Sequence, residues 1–248
     1  MRSSRPSPAG ARWPELTTGR DRLAAPTLEA ARWVLGARLI REATSRAPGW
    51  ARRTADRRVG RIVEVEAYGG PSDAASHARF GETQRNRVMF GPPGVAYVYL
   101  VYGIHDCLNV VTEPDGQAAA LLVRAVEPLE GLAVMREGRL ERAARRRPDA
   151  TVAGGAADVA RRLEEEPDER LASGPGLVTA AFSIDRSDSG TDLLDPSSDL
   201  RLELPDAPLP DDRVAASARI GVGYAAEPWR SLPWRLFDAA SPTVSGRR

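Results

Sequence analysis

Four segments between residues 59 and 126 have the composition of β-strands, and two of the three connections between them are short. Pro114-Asp115-Gly116 is a typical turn between the third and fourth segments. Strands joined by short turns pair antiparallel. We therefore predict an α+β fold: a single mixed domain with a curved antiparallel β-sheet core, flanking helices and long loops. The predicted strands are Val59 to Tyr68, Val95 to Tyr102, Leu108 to Thr112 and Ala118 to Val126.

The first of these strands carries two carboxylates. Because side chains alternate along a strand, Glu64 and Glu66 should share a face with Ile62 and Tyr68, opposite to Val65. A Glu-x-Glu pair is usually part of a solvated sheet face, since charged residues are mostly exposed. The apolar and aromatic neighbours instead favour a partly desolvated carboxylate, which suits proton transfer from water.

Aromatic and polar side chains occupy the other predicted strands and the long loop 69–94. Tyr97 and Tyr99 share a strand face, which is typical of a core stripe but also of a platform on which a flat ring stacks. His77, Asn109 and Arg124 each have an ordinary structural explanation as a loop histidine, a strand amide and an ion-pair partner. Together they suit a pocket that stacks a flat ring and activates a water beside it.

The composition limits the chemistry that is available. All 35 basic residues are arginine, so no side-chain amine can form a Schiff base, and only the α-amino terminus could substitute. One cysteine, Cys107, and two histidines make a structural zinc site improbable, and we expect no metal or organic cofactor. A lone cysteine also predicts a reducing, cytoplasmic environment. No apolar run reaches the roughly 18 residues that a membrane span needs.

Charge and turn residues suggest how the chain is divided. Residues 1–25 read as a disordered basic arm, followed by one domain over residues 26–248 with insertions near 45–58 and 145–170.

Residues 1–58 carry 13 Arg against 5 acids, whereas residues 155–212 carry 5 Arg against 15 acids. This asymmetry fits a polyanionic partner, but charge alone favours the simpler explanation of an unevenly charged solvated surface. Other predicted elements are a helix from Leu28 to Leu35, a strand from Ala37 to Glu42, helices from Leu129 to Arg147 and from Leu177 to Phe182, and a late strand from Ala218 to Gly223.

The order and spacing of these residues resemble the alkyladenine, or 3-methyladenine, DNA glycosylase family, and within it a bacterial-type member. The likeness runs from about Leu28 to Ser245, with gaps at 45–58 and 145–170. Two positions depart from the family pattern: Leu177 stands where a lysine is frequent, and Gln84 where a proline is usual. The motifs that carry the likeness are Arg61-Ile62-Val63-Glu64-Val65-Glu66-Ala67-Tyr68, Ser76-His77, Arg85-Asn86-Arg87-Val88-Met89-Phe90, Tyr97-Val98-Tyr99, Tyr102-Gly103, Leu108-Asn109, Arg124-Ala125-Val126-Glu127-Pro128, Ser173-Gly174-Pro175 and Arg219-Ile220-Gly221-Val222-Gly223.

The resemblance implies a role for each site residue. Glu66 would be the general base that activates the attacking water, with Arg124 as its partner, whereas Glu64 is given no role. Tyr68 would form one wall of the base pocket. His77 and Tyr99 would form the opposite wall. Asn109 would disfavour guanine by meeting its 2-amino group. Tyr102 would be the wedge inserted into the duplex.

The function implied is that of a monofunctional DNA glycosylase of base excision repair. Such an enzyme flips an alkylated or deaminated purine out of duplex DNA, hydrolyses its N-glycosidic bond, and has no lyase activity. Double-stranded DNA with a damaged purine is therefore the expected partner, bound by a monomer. Two alternatives stay open: a catalytically silent damaged-DNA-binding protein, and an RNA-binding module, for which no single-strand-binding signature is present.

Overall fold

A computed structural model describes residues 18–42, 56–101, 103–146 and 155–246. Over these residues the chain forms eight strands in one open sheet, in which every neighbouring pair is antiparallel, together with five α-helices. The predicted mixed α+β domain with an antiparallel sheet core is confirmed. The strands are β1 Arg38–Glu42, β2 Arg57–Tyr68, β3 Ala96–Val101, β4 His105–Val111, β5 Ala120–Glu130, β6 Leu200–Glu203, β7 Val214–Ser217 and β8 Arg235–Asp238. The helices are α1 Gly19–Ala24, α2 Thr27–Val34, α3 Leu132–Arg146, α4 Gly155–Glu165 and α5 Pro175–Ala181.

Strand β2 is the centre of the sheet, whose order is β3-β4-β5-β2-β1-β6. One edge of β2 pairs with β5 along almost its whole length. The other edge is divided: its first five residues pair with β1, and Glu64–Glu66 pair with β8, which in turn pairs with β7. The carboxyl-terminal part of the chain is thereby brought back beside the two predicted carboxylates.

The register of β2 against β5 shifts at three places, two of which flank Glu64. A bulge adds a residue on one strand and so changes which face the following side chains occupy. As a result Ile62 joins Val65 and Ala67 in the main hydrophobic core, and the prediction that it shares a face with Glu64 and Glu66 is wrong. Strict alternation fails here because the bulges break the period of two.

The main core lies between the sheet and a layer of helices. Side chains from α2, α3 and α5 pack on those of β2, β4 and β5, with Phe182 just after α5 fully buried. Strands β2 and β5 approach so closely at Gly60 that a Cβ there would lie 2.4 Å from Val126 Cγ1 and 2.8 Å from the carbonyl oxygen of Glu127. Glycine is therefore required at this point, because any side chain would force the strands apart.

The predicted arm ends earlier than residue 25. Thr18 and Asp21 form a capping box at the start of α1, Leu23 is fully buried, and Arg20 forms an ion pair with Asp192 at 2.6 Å. A capped helix that contributes to the core is not part of a disordered segment. Residues 1–17 lie outside the described part of the chain.

The two predicted insertions are described only in part. Residues 43–55 lie outside the described residues, and 57–58 belong to β2. Of the second insertion, 147–154 are not described, whereas α4 occupies Gly155–Glu165. Arg136 of α3 binds the carbonyl oxygen of Glu166 at 2.9 Å and Asp168 at 2.5 Å, which holds the end of this insertion against α3.

The predicted late strand over Ala218 to Gly223 is wrong. The strand in this region is β7, which ends at Ser217, and residues 218–223 have no regular structure. The apolar alternation was misleading because the backbone N–H of Ile220 donates to the Glu66 carboxylate rather than to a neighbouring strand. Among the helices described, none is long and apolar enough to cross a membrane.

Candidate active site

A cavity of about 660 Å³ lies where the ends of β2, β3, β4 and β5 meet the loop after β2 and the segment after β7. Five of the seven predicted site residues line it, although they come from four strands and one loop. Glu66 lies behind the cavity wall, and Tyr102 lies outside the described residues. The five lining residues are Tyr68, His77, Tyr99, Asn109 and Arg124.

Glu66 is completely buried and bound on both oxygens. Its Oε1 accepts the backbone N–H of Ile220 at 2.6 Å, and Arg124 Nη1 lies 3.3 Å from the same atom. Its Oε2 accepts the hydroxyl of Tyr68 at 2.9 Å. Both Tyr68 and Arg124 line the cavity, so the carboxylate is one side chain away from it. These partners compensate the cost of burying a charge.

Arg124 is shared between two carboxylates. Its Nε donates to Glu64 Oε1 at 2.9 Å, which is shorter than its contact with Glu66, and its Nη2 donates to Ser245 Oγ at 3.3 Å. Burial by itself lowers the pKa of Arg124, but the negative charges of Glu66 and Glu64 outweigh burial and raise this pKa above its usual value. The guanidinium therefore stays charged under all conditions in which the protein is folded.

Three aromatic rings form one wall of the cavity. The rings of His77 and Tyr99 meet edge to face with centroids 4.4 Å apart, and those of Tyr97 and Tyr99 lie 5.4 Å apart. His77 begins a 3-10 turn over His77–Phe80, which Ser76 caps, and its Nδ1 lies 3.1 Å from the Tyr97 hydroxyl. This network holds the His77 ring at a defined angle to the cavity.

The ring of Tyr68 is held by a buried ion pair. The guanidinium of Arg219 lies 4.8 Å from the Tyr68 ring centroid and binds both oxygens of Asp73, at 2.6 and 3.0 Å. Both side chains of this pair are fully buried. Arg219 also donates to the carbonyl oxygen of Trp229, so the loop after β7 and the loop after β2 are tied together behind Tyr68.

The buried aromatic groups of Tyr68, His77, Tyr97 and Tyr99 are uncharged near neutral pH. Burial, followed by the charge of Glu66 and the hydrogen bond to it, raises the pKa of Tyr68 well above its usual value. Burial likewise raises the pKa of Tyr99, and it raises that of Tyr97 to about 12. Burial, reinforced by the positive charges of Arg85 and Arg79, lowers the pKa of His77 to about 4. A cationic ligand would therefore meet no charged ring on this wall, whereas the guanidinium groups of Arg79 and Arg85 line the same cavity and that of Arg85 lies 5.6 Å from the Tyr99 ring centroid.

Asn109 lies on β4 opposite Tyr97 and is almost fully buried. Its Nδ2 donates to the carbonyl oxygens of Tyr97 at 3.0 Å and Cys107 at 3.3 Å. Both amide hydrogens are thus used by the protein, which leaves the side-chain oxygen as the polar atom that Asn109 can offer to a ligand.

The cavity mouth is surrounded by exposed apolar side chains. Ile220 and Tyr224 line the cavity, Phe80 follows the lining residue Arg79, and Ile104 follows the lining residue Gly103. These four are among the six large apolar side chains that are exposed in the described residues. The Arg79 guanidinium lies 4.6 Å from the ring centroid of Phe80 and 5.4 Å from that of Tyr224, so a cation lies between two exposed rings.

Several contributors to the site were not predicted from the sequence. Arg219 and Ile220 belong to a motif that carried the family resemblance, but no pattern indicated that one would hold Tyr68 and the other would bind Glu66. Glu64, which had no assigned role, is fully buried and bound to Arg124. In the described part of the chain, no group of three or more His, Cys, Asp or Glu side chains could hold a metal ion.

Comparison with known proteins gives a consistent result. The family model for methylpurine-DNA glycosylase matches residues 21–242. Three relatives are each provisionally named a 3-methyladenine DNA glycosylase. The one from Methanocella arvoryzae is 44% identical over 228 residues, covering 92% of this chain and 95% of the relative. Those from Nocardia farcinica and Myxococcus xanthus are 45% and 40% identical, covering 76% and 90% of this chain and 78% and 90% of the relatives.

The environment of His77 leads to a prediction about its titration. We expect the His77 imidazole to stay neutral down to about pH 4, because burial and the nearby guanidinium groups disfavour its protonated form. NMR chemical shifts of the ring protons, followed from pH 8 to pH 4, would measure this. In Arg85→Gln the midpoint should move upward, because one of the two opposing charges is gone. A wild-type midpoint near 6.5 would contradict the structure.

Proposed function

Because the chain belongs to the methylpurine-DNA glycosylase family, we propose that it removes damaged purine bases from duplex DNA as a monofunctional N-glycosylase acting as a monomer. The observation that carries the proposal is the arrangement of one cavity. Aromatic rings line it, Asn109 lies against it, and the Glu66–Arg124 pair lies directly behind Tyr68. The names of the relatives supply the substrate class, an alkylated purine.

A base inside a duplex cannot enter such a cavity without leaving the helix. Extruding it costs a few kcal/mol, and the vacated space is usually filled by a side chain of the protein. We assign that wedge to Tyr102. Its position in the chain supports this assignment, since Val101 and Gly103 on either side both line the cavity.

The flipped purine would stack between Tyr68 and the pair formed by His77 and Tyr99. Stacking of a base on an aromatic side chain contributes about 1–3 kcal/mol, and a cationic ring is attracted further by the negative face of the aromatic system. An alkylated purine that carries a positive charge fits this wall, because His77 is neutral when its pKa is about 4.

Hydrolysis would use Glu66 as the general base. Its Oε2 accepts one hydrogen bond, from Tyr68, and so keeps a lone pair for a water that enters between Tyr68 and Arg124. The water oxygen forms a bond to the sugar C1′ while its proton passes to Glu66, and the C1′–N bond breaks with its electron pair moving to the purine. Glu66 and the other groups of the site would stabilise the positive charge that develops on the sugar.

The absence of lysine supports the monofunctional assignment. A β-lyase step through a Schiff base needs an amine nucleophile, and no side chain of this protein is a primary amine. The expected products are therefore a free purine and an intact strand with an abasic site.

Replacement of Glu66 tests the proposed chemistry. In Glu66→Gln we expect the single-turnover rate of 7-methylguanine release to fall by about 10²–10⁴-fold, the usual contribution of a general base. Duplex affinity, measured by fluorescence anisotropy at one salt concentration, should change little. Glu29→Gln, an exposed substitution on α2, is the matched control. Excision that survives in Glu66→Gln would refute water activation by Glu66. Wild-type protein that binds damaged duplex without releasing base would instead be a silent lesion-binding protein.

Asn109 is proposed to occupy the space that the 2-amino group of guanine needs. Asn109→Ala should then raise excision of guanine-type bases relative to 3-methyladenine, measured as the ratio of single-turnover rates on matched duplexes. The Asn109 oxygen is the atom left free for a ligand. A fall in 7-methylguanine excision in Asn109→Ala would therefore show that this oxygen accepts the 2-amino group, which is the opposite of the proposed role.

The exposed rings at the cavity mouth lead to a prediction about duplex binding. We expect Phe80→Ala to weaken binding of a duplex by about 1–3 kcal/mol, because the open face of this ring can stack on a base beside the flipped nucleotide. Leu129→Ala removes another exposed apolar side chain, one that does not line the cavity, and it should leave the affinity unchanged. Equal affinities of Phe80→Ala and wild type would exclude Phe80 from the interface.

A further inference from the structure

Glu64 is a heavily bonded carboxylate of the site, although it does not line the cavity. It is fully buried and accepts four hydrogen bonds from three residues. Arg124 Nε donates at 2.9 Å and Arg235 Nε at 2.6 Å, while Ser245 donates its backbone N–H at 2.6 Å and its hydroxyl at 2.9 Å. Glu64 thereby connects β2, β5, β8 and the segment after β8.

The contacts of Arg124 show how Glu64 can affect Glu66. Arg124 Nε is directed at Glu64, and its Nη2 at Ser245, which is itself bound to Glu64. Only Nη1 is left for Glu66, at 3.3 Å and without a hydrogen bond of good geometry. The arginine is therefore oriented chiefly by Glu64, and its ion pair with Glu66 is the weaker of the two.

The charges around Glu66 balance only when Glu64 is included. Glu64 and Glu66 come from β2, Arg124 from β5 and Arg235 from β8, which gives two negative and two positive charges. The uncharged groups that bind Glu66 are the Tyr68 hydroxyl and the Ile220 N–H. The Tyr99 hydroxyl on β3 and the Cys107 thiol on β4 also interact with the charge of Glu66, and burial raises the pKa of both. Without the charge of Glu64, two guanidinium groups would face a single carboxylate. A carboxylate paired more completely with cations takes a proton less readily.

We propose that Glu64 is a positioning residue for base excision: by holding Arg124 through Nε, it prevents a full ion pair with Glu66 and keeps Glu66 able to accept a proton from water. This inference rests on the proposed function. The competing explanation is that Glu64 only anchors β8 and the segment after β8 through Arg235 and Ser245, in which case it acts on folding and not on the reaction.

The two explanations differ in the pH dependence of excision. In Glu64→Gln the size of the side chain is kept and its charge is lost, so Arg124 is free to pair with Glu66. We expect the single-turnover rate to fall about tenfold and the acidic limb of the pH–rate profile to move to lower pH. Duplex affinity should stay within about threefold of wild type, because Glu64 does not line the cavity.

Arg235→Gln is the matched variant, because the Arg235 side chain binds Glu64, Ser217 and Ser245, whereas it is the backbone of Arg235 that pairs with Glu66. It removes the same anchor of β8 but leaves one positive and two negative charges, so the acidic limb should move to higher pH. Shifts in opposite directions support the positioning role. If both variants lose activity and thermal stability while the acidic limb of the pH–rate profile stays where it is in wild type, Glu64 is only an anchor and the proposal is wrong.

The outcomes also separate this inference from the proposed function. If Glu64→Gln fails to fold, Arg235→Gln still tests the positioning role. An acidic limb of the pH–rate profile that is the same in Arg235→Gln as in wild type would contradict the charge balance around Glu66. If wild type excises the base, Glu66→Gln does not, and Glu64→Gln has the wild-type profile, then only the positioning role fails. If wild type releases no base, both proposals fail.

Discussion

The burial of two carboxylates on one strand is the constraint on which the site depends. A carboxylate removed from water is tolerated only when charged and hydrogen-bonding partners surround it. For Glu64 and Glu66 these partners come from β5, from β8, from Ile220 and from Ser245. The central strand therefore cannot take its place in the sheet unless distant parts of the chain close over it.

This requirement explains the topology around β2. The strand pairs with β5 on one edge and is divided between β1 and β8 on the other, so β8 arrives beside Glu64–Glu66. The bulges on either side of Glu64 remove Ile62 from the face of the carboxylates and add it to the core. The same closure brings Ile220, Val222 and Tyr224 to the cavity, whose other lining residues come mainly from the ends of β2, β3, β4 and β5 and from the loop after β2.

The chemistry of the cavity follows from which groups are charged. The positive charge of Arg124 is stabilised by two carboxylates, whereas the phenols and the His77 imidazole are neutral because they are buried. An electron-rich neutral wall with one buried carboxylate behind it suits a cationic flat ring and an attacking water. The membership of the chain in the methylpurine-DNA glycosylase family agrees with this arrangement.

The sequence by itself determined the antiparallel core of the sheet, the family and five of the residues that line the cavity, because motif order is a local property of the chain. These five residues are Tyr68, His77, Tyr99, Asn109 and Arg124. Three predictions from the sequence were wrong, because their causes leave no local pattern. The bulges in β2 changed the face of Ile62, and a long-range hydrogen bond from Ile220 replaced the strand predicted at 218–223. The burial of Leu23 ended the predicted arm before residue 25. Only the tertiary structure decided that Glu64, Arg235, Ser245 and Ile220 surround the carboxylate–arginine pair. These residues lie up to 181 positions apart, and the pairing of their charges exists only when the chain has closed around them.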